Sequence, residues 1–259
     1  MQQKLNETER FATRLAVSEQ DLHAAQRLRY QVFVEELGGD GPLVDHAQRR
    51  EQDAFDEFAD HLLLLDQARQ SDDRVIGVYR LMNTSMAAQA GRFYCEGEYD
   101  LSKLRASGKR ILELGRSCLH RDYRGGQAMW HLWQALGAYL QAHDIEIVFG
   151  VASFHGTDAA ALAPALSFLH HEHLAPQGLR VVANGPTALR MNTLPADQID
   201  RLAAVRMMPA LIKAYLRLGA VVGDGAFVDH AFNTTDICIL LERDAINGMQ
   251  ARIYGGLRD

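Results

Sequence analysis

From residue 21 to 36 the chain reads DLHAAQRLRYQVFVEE, with apolar residues recurring near Leu22, Ala25, Leu28 and Val32. Steps of three to four predict an amphipathic helix with one buried stripe. Between Gly38 and Phe58 the pattern dissolves into polar and acidic residues around a Gly-Gly-Asp-Gly-Pro break, which predicts a long loop. Such loops, carried on a rigid scaffold, often bear function. Two apolar runs follow, HLLLLD (61–66) and RVIGVYRLMN (74–83), and the polar Asp72-Asp73 turn between them predicts an antiparallel pair of strands. Residues 84–108 show no clear period. RILELGRSCLH (110–120) is a third strand signal, after which Gly125-Gly126 opens a helical pattern, QAMWHLWQALGAYLQAHD (127–144). IEIVFGVASF (145–154) predicts a buried strand, residues 158–173 a helix, LRVVA (179–183) a short strand and DICILLE (236–242) a closing strand. Residues 197–218 read as helical, with Pro209 forcing a kink or a break. An antiparallel opening followed by strand–turn–helix–strand–helix predicts an α/β or α+β fold, a sheet with helices on both faces.

The length of 259 residues suits one large domain with its own core. Apolar residues at 47% and charged residues at 23% argue against disorder. The 27 basic residues are outnumbered by 33 acidic ones, for a net charge of -6, which argues against a nucleic-acid partner. Three scattered cysteines form neither a disulfide framework nor a zinc cage, so a reduced, cytoplasmic setting is expected. The N-terminal residues lack the apolar core of a signal peptide. Ile145 to Phe154, the longest apolar stretch, includes Glu146 and is half the roughly twenty residues a membrane span needs.

Several groups invite chemistry. HRDYRGGQA (120–128) lies where a strand hands over to a helix, so Arg121, Arg124 and the Gly125-Gly126 backbone are candidates to hold a phosphate at a helix N-terminus; a plain tight turn is the alternative. Glu113 and Arg116, three apart, face opposite sides of a regular strand unless a bulge at Gly115 turns both to one side and frees a backbone N–H for an oxyanion. A cross-sheet ion pair is the other reading. Asp53, Asp56, Glu57 and Asp60 crowd the loop and suit either a cationic amine or plain solvation. His170, His171 and His173 match no metal-binding spacing and suit a helix C-terminus, so no metal is expected. Cys118 reads as a small core residue, and Ser153 in GVASFHG is not a hydrolase elbow. Arg206, Lys213 and Arg217, at spacings of seven and four, predict a basic helical face for an acidic protein or an anionic membrane.

Taken as an ordered set, RLRYQVF (27–33), the loop with Asp53 and Asp56, GVYRL (77–81), ELGRSCLHRDYR (113–124), GGQAMWHLW, FGVASFHGTD (149–158) and YLRLGAVVGDGAFVDHAFNTTD (215–236) resemble the bacterial L-ornithine Nα-acyltransferases. The resemblance spans about 25–245. It implies the GNAT-like acyltransferase fold, a central mixed sheet flanked by helices. It also implies one such domain over 21–259 after an extension of 1–20, with a family-specific segment from about 186. More distantly, Arg29, Phe33, Asp53, Asp56, Arg80, Glu113 and Arg116 are similar to the skeleton of acyl-homoserine-lactone synthases; the Trp those enzymes carry after their Phe is absent, since Phe33 is followed by VEELGG.

The resemblance implies transfer of a 3-hydroxyacyl group from acyl carrier protein to the α-amine of L-ornithine, the first step towards ornithine lipids. The donor is then acyl-phosphopantetheine, with no cofactor bound. From Arg124 the chain carries Gln127 and Met129 where the GNAT pyrophosphate loop has glycines, which suits a donor with a single phosphate. In the site so implied, Glu113 is the general base, directly or through a water, with oxyanion donors around Arg116 to Cys118. Arg121, Arg124, Gly125 and Gly126 hold the phosphate, and Arg29, Phe33, Asp53, Asp56, Arg80 and Ser153 meet the substrate. The protein is expected in the cytoplasm with peripheral contact at the inner membrane. Glutamine or lysine as acceptor, coenzyme A thioesters as donor, and a non-catalytic membrane-associated binder are the competing expectations.

Overall fold

In chain order the elements are β1 (Phe11–Leu15), α1 (Glu19–Arg29), β2 (Asp60–Asp66), β3 (Val75–Asn83), α2 (Thr84–Gln89), β4 (Tyr99–Asp100), α3 (Ser102–Ala106), β5 (Ile111–Leu119), α4 (Ala128–Ala142), β6 (Ile147–His155), α5 (Ala159–His173), β7 (Val182–Ala183), β8 (Ala188–Leu189), α6 (Arg201–Met207), α7 (Ala210–Arg217), β9 (Val221–Val222), β10 (Ala226–Asp229) and β11 (Thr234–Glu242). The structure is a computed structural model and describes residues 10–70 and 73–244. Asp72 of the expected turn, residues 1–9 of the expected extension and residues 245–259 lie outside the described residues. The chain divides into two compact units, Met1–Gly91 with Leu114–Asp144 and Arg92–Glu113 with Ile145–Asp259.

In the first unit β1, β2 and β3 form an antiparallel sheet with β5 next to β3. β1, which the sequence pattern left inside the extension, pairs Phe11 with Asp66 and Leu15 with Leu62. Ser18 caps α1 by accepting from the Asp21 N–H; acidic Glu19 and Asp21 open the helix and basic Arg27 and Arg29 close it, as the helix dipole favours. Ala25, Leu28 and Val32 then pack on Leu63, Leu65, Val78 and Cys118. The expected helix over 21–36 is α-helical only to Arg29 and continues as a π-helical segment, Tyr30–Glu36. A π segment is rare and concentrates at functional sites.

In the second unit, Ile111 to Glu113 of β5 run parallel to Ile147 to Phe149 of β6. β6 is antiparallel to β11, β11 to β10, and β10 to β8, which makes the sheet mixed. The Phe93 and Phe149 rings meet edge-to-face at 5.1 Å over its buried face. Asp158 caps α5 through the N–H groups of Ala160 and Ala161, and His170, His171 and His173 fall in its last turn. His171 meets the Leu194 carbonyl at 3.0 Å and His170 lies 3.5 Å from Asp224, so the three do not converge on one point. Met208 and Pro209 are extended and separate α6 from α7. The single basic face expected from Arg206, Lys213 and Arg217 is therefore not formed on one helix: Pro209 has no N–H to continue α6, so Arg206 is carried by a different helix from Lys213 and Arg217.

Candidate active site

Five of the residues singled out by sequence converge in the first unit, and the structure adds a sixth. Arg29 at the end of α1 donates from Nε to Glu51 Oε2 at 2.5 Å. Glu51 Oε1 accepts from Arg116 Nε at 3.1 Å, and Arg116 Nη2 reaches Asp53 Oδ2 at 2.8 Å. Asp53 Oδ1 meets Arg80 Nη1 at 2.5 Å, and the same nitrogen reaches Asp56 Oδ1 at 3.1 Å. That oxygen accepts from Arg29 Nη1 at 2.7 Å, which closes the circuit. Three guanidinium groups thus alternate with three carboxylates in a closed, neutral ring. Charges leave water at a cost of several kcal/mol each, and such a site is tolerable only when every one is paired and hydrogen-bonded.

The loop between α1 and β2 supplies all three carboxylates, which explains its acidity. Its neighbours hold them in place: Gln26 Nε2 donates to Asp56 Oδ2 at 3.0 Å, Asp53 accepts from the Phe55 N–H, and the Arg80 guanidinium lies over the Phe55 ring. The Arg29 side chain is 0% exposed, whereas Arg116 and Asp53 are 12% and 16% exposed and form the ring's open edge. Glu51 was not singled out by sequence; three arginines needing three partners was the available signal.

Burial pushes the Glu51, Asp53 and Asp56 carboxyls up, but the adjacent guanidinium groups outweigh it and hold all three below their ordinary values. His61, whose ring meets the Asp56 carbonyl, is pushed down by burial and by Arg29 and Arg80, against the pull of Asp56. All four groups therefore bind fewer protons folded than unfolded, so stability rises with pH up to their unfolded values and is lost on acidification. Thermal unfolding should show a fall in midpoint beginning near pH 6.5 from His61 and steepening below about pH 5 from the carboxylates. A midpoint unchanged between pH 7 and 4.5 would contradict this account.

Arg116 has a left-handed backbone, φ 48°, in the middle of β5. The irregularity expected at Gly115 therefore falls on the next residue. A side chain in that region costs about 1–2 kcal/mol, and here the two carboxylates on its guanidinium hold it. Past β5, the His120 N–H donates to the Ile76 carbonyl and the Tyr123 hydroxyl to Asp66 Oδ2 at 2.6 Å, which fastens the loop. Arg121, Gly125 and Gly126 are exposed there, with Gly125 at φ 77°, ahead of the N-terminus of α4. Arg124 spends its Nε on the Leu119 carbonyl and an Nη on Glu36. Phe33, on the π segment, packs against the α1 core.

Glu113 and Ser153 belong to the second unit. The Glu113 side chain is buried, and its oxygens accept from the Tyr94 and Cys95 N–H groups at 2.9 and 2.6 Å. This occupation differs from that of a base open to substrate: the carboxylate staples the turn at 94–97 onto β5. Ser153 is half-buried on β6, opposite Asp236 of β11. Cys118 is a buried core thiol whose pKa burial pushes far up, against the opposing pull of Arg29.

Residues 28–134 match the family model described as an acetyltransferase (GNAT) domain. The chain is 56% identical over 246 residues to the L-ornithine N(alpha)-acyltransferase of Rhodobacter capsulatus, which covers 94% of each chain. It is 42% identical to the enzyme of that name from Agrobacterium fabrum, over 94% of this chain and 85% of that one. A solved CoA-dependent acyl-homoserine lactone synthase, BjaI with SAM and isopentyl-CoA, superposes with a TM-score of 0.51 at 16% identity, over 94% of this chain and 89% of that chain; at that identity the fold is what the two share.

Proposed function

The chain belongs to the L-ornithine Nα-acyltransferase family, and from that premise we propose that it transfers a 3-hydroxyacyl group from acyl carrier protein to the α-amine of L-ornithine. The observation that carries this reading is 56% identity sustained over 94% of both chains. The α-nitrogen attacks the thioester carbonyl carbon; the C–N bond forms, the C–S bond breaks, and the nitrogen's proton passes through solvent to the departing thiolate. An α-amine has a pKa near 8 and a distal amine one near 10.4, so the α-amine reaches its reactive neutral form at lower cost.

In this reading the left-handed turn at Arg116 directs backbone N–H groups between Arg116 and Cys118 at the developing oxyanion. Arg121 and the Gly125-Gly126 backbone hold the phosphopantetheine phosphate, helped by the N-terminus of α4. In this reading Glu51 and Asp53 hold Arg116, while Arg29, Asp56 and Arg80 hold those two carboxylates in place, and Asp53 and Arg116, at the more exposed edge, meet substrate. Glu113 anchors the turn that covers its sheet face. No helix among the described residues is long and apolar enough to cross a membrane. Exposed Leu202, Val205 and Met207 beside Arg206 on α6 support peripheral contact with the membrane that receives the lipid product.

The test is mass spectrometry of products after incubating the protein with 3-hydroxyacyl carrier protein and a mixture of free amino acids. The expected product is ornithine acylated once, on the α-nitrogen. Acylation of glutamine or lysine in its place would move the acceptor, and turnover of coenzyme A thioesters alone would overturn the donor.

A further inference from the structure

Gln31 and Glu36 lie five residues apart on the π segment Tyr30–Glu36, and both reach the loop that follows β5. Residues five apart on an α-helix point about 140° from one another. The π turn, closed by hydrogen bonds between i and i+5, brings them to nearly one side. The Gln31 amide meets His120 Nε2 at 3.3 Å, and His120 Nδ1 accepts from the Asp122 N–H at 3.3 Å. Glu36 Oε2 accepts from Arg124 Nη2 at 2.8 Å. The Glu36 side chain is 14% exposed, and its Oε1 is buried with no hydrogen-bond partner. Its charge is felt beyond Arg124: burial and Arg69 push the His120 imidazole down, against the pull of Asp122 and Glu36. A carboxylate thus lies against the loop read as the donor's phosphate site.

A carboxylate is a poor neighbour for a phosphate, so its place here calls for a reason. Arg124 donates from Nε to the Leu119 carbonyl and from Nη2 to Glu36, so its charge is already matched. Arg121, exposed and without an ion pair among the described residues, is left to face the ligand. We propose that Glu36 selects the donor by charge: it leaves the loop fit for one phosphate and rejects the diphosphate of coenzyme A. Phosphopantetheine joined to a carrier protein is a phosphodiester with a single negative charge. Coenzyme A carries a charge on each of two linked phosphates and a phosphate monoester besides. Repulsion from a fixed carboxylate grows with the charge brought beside it, and Glu36 Oε1, with no donor of its own, does nothing to relieve it. Specificity of this kind comes from a repulsive element set against the wrong ligand rather than from added contacts to the right one.

This inference rests on the reading of acyl carrier protein as donor, and the test separates the two. At low salt, kcat/KM is measured with 3-hydroxyacyl carrier protein and with the 3-hydroxyacyl coenzyme A thioester on the wild type, Glu36→Gln, Glu36→Asp and Glu35→Gln. Glu36→Gln should raise kcat/KM for the coenzyme A donor about tenfold and leave the carrier donor within about threefold, a gain that fades as salt screens the charge. Glu36→Asp keeps the carboxylate and should keep the wild-type preference. Glu35→Gln removes the neighbouring charge, which pairs with Arg49 and not with the loop, and should also leave the preference unchanged. Calorimetry with coenzyme A itself needs no turnover, and should show Glu36→Gln binding it about tenfold more tightly than the wild type. Equal changes on both donors would overturn the inference, as would the same shift in Glu35→Gln. A wild type that prefers the carrier donor, with no gain on coenzyme A in Glu36→Gln, overturns the charge selection alone. A wild type that uses coenzyme A as readily as the carrier donor overturns both. Tighter binding of coenzyme A by Glu36→Gln, with no turnover of either donor, leaves the charge selection standing and the donor reading fallen.

Discussion

Replacing Arg29 with Met should lower the free energy of unfolding by about 3–5 kcal/mol, as removing one partner from a buried ion network does. The substitution deletes the contacts to Glu51 Oε2 and Asp56 Oδ1 and leaves both carboxylates buried, each with one remaining arginine. The loss exceeds the value of the pairs themselves: taking all these charges out of water cancels much of their mutual attraction, but an unmatched charge keeps its desolvation penalty and loses its compensation. Arg29→Lys should recover only part, because an ammonium is a point donor and cannot reach two carboxylates along a planar fork. The second consequence is kinetic. Arg116 is held in a left-handed conformation by Glu51 and Asp53, so freeing Glu51 lets β5 relax. A loss of 1–2 kcal/mol in the placing of oxyanion donors would appear as roughly a 5- to 30-fold fall in kcat. Urea unfolding and steady-state rates check both, and a stability loss under about 1 kcal/mol would show that the ring does not carry the strain at Arg116.

Why the sequence revealed the strands but not the ring follows from what each depends on. HLLLLD and RVIGVYRLMN are buried on both faces, so their apolar runs announce them, and β2 and β3 occupy nearly those bounds. The Pro209 break was visible because proline lacks the N–H that the helix interior needs. β1 was hidden: FATRL is a half-buried edge strand whose polar positions break the run. β8, β9 and β10 have two to four residues each and exist because of the strands beside them, which no local pattern records. The sequence likewise marked all the ring residues but Glu51 as chemically notable, with Arg29, Asp53, Asp56 and Arg80 expected to meet the substrate and Arg116 expected beside the oxyanion donors. In the structure they mainly neutralise each other, through contacts spanning 24 to 63 residues. Pairing across such distances is set by how α1, β3 and β5 come together, and spacing along the chain carries no trace of it.

Glu113→Gln separates a general base from a carboxylate that holds a turn in place. A general base supplies about 10²–10⁴ in rate, so its amide variant would lose that much in kcat while folding as before. The observed carboxylate is buried and accepts from the Tyr94 and Cys95 N–H groups, one on each oxygen. An amide has one acceptor oxygen, and its NH₂ group would face an N–H head-on. One bond is lost and one donor left unsatisfied, a cost of about 1.5–3 kcal/mol for a bond to a charged group. The expected result is therefore the opposite pattern: a clear fall in stability, with kcat within about tenfold of the wild type and an unchanged pH–rate profile. A variant of native stability with kcat down a hundredfold or more would restore Glu113 as the base. It would also require the turn at 94–97 to open for the amine to reach it.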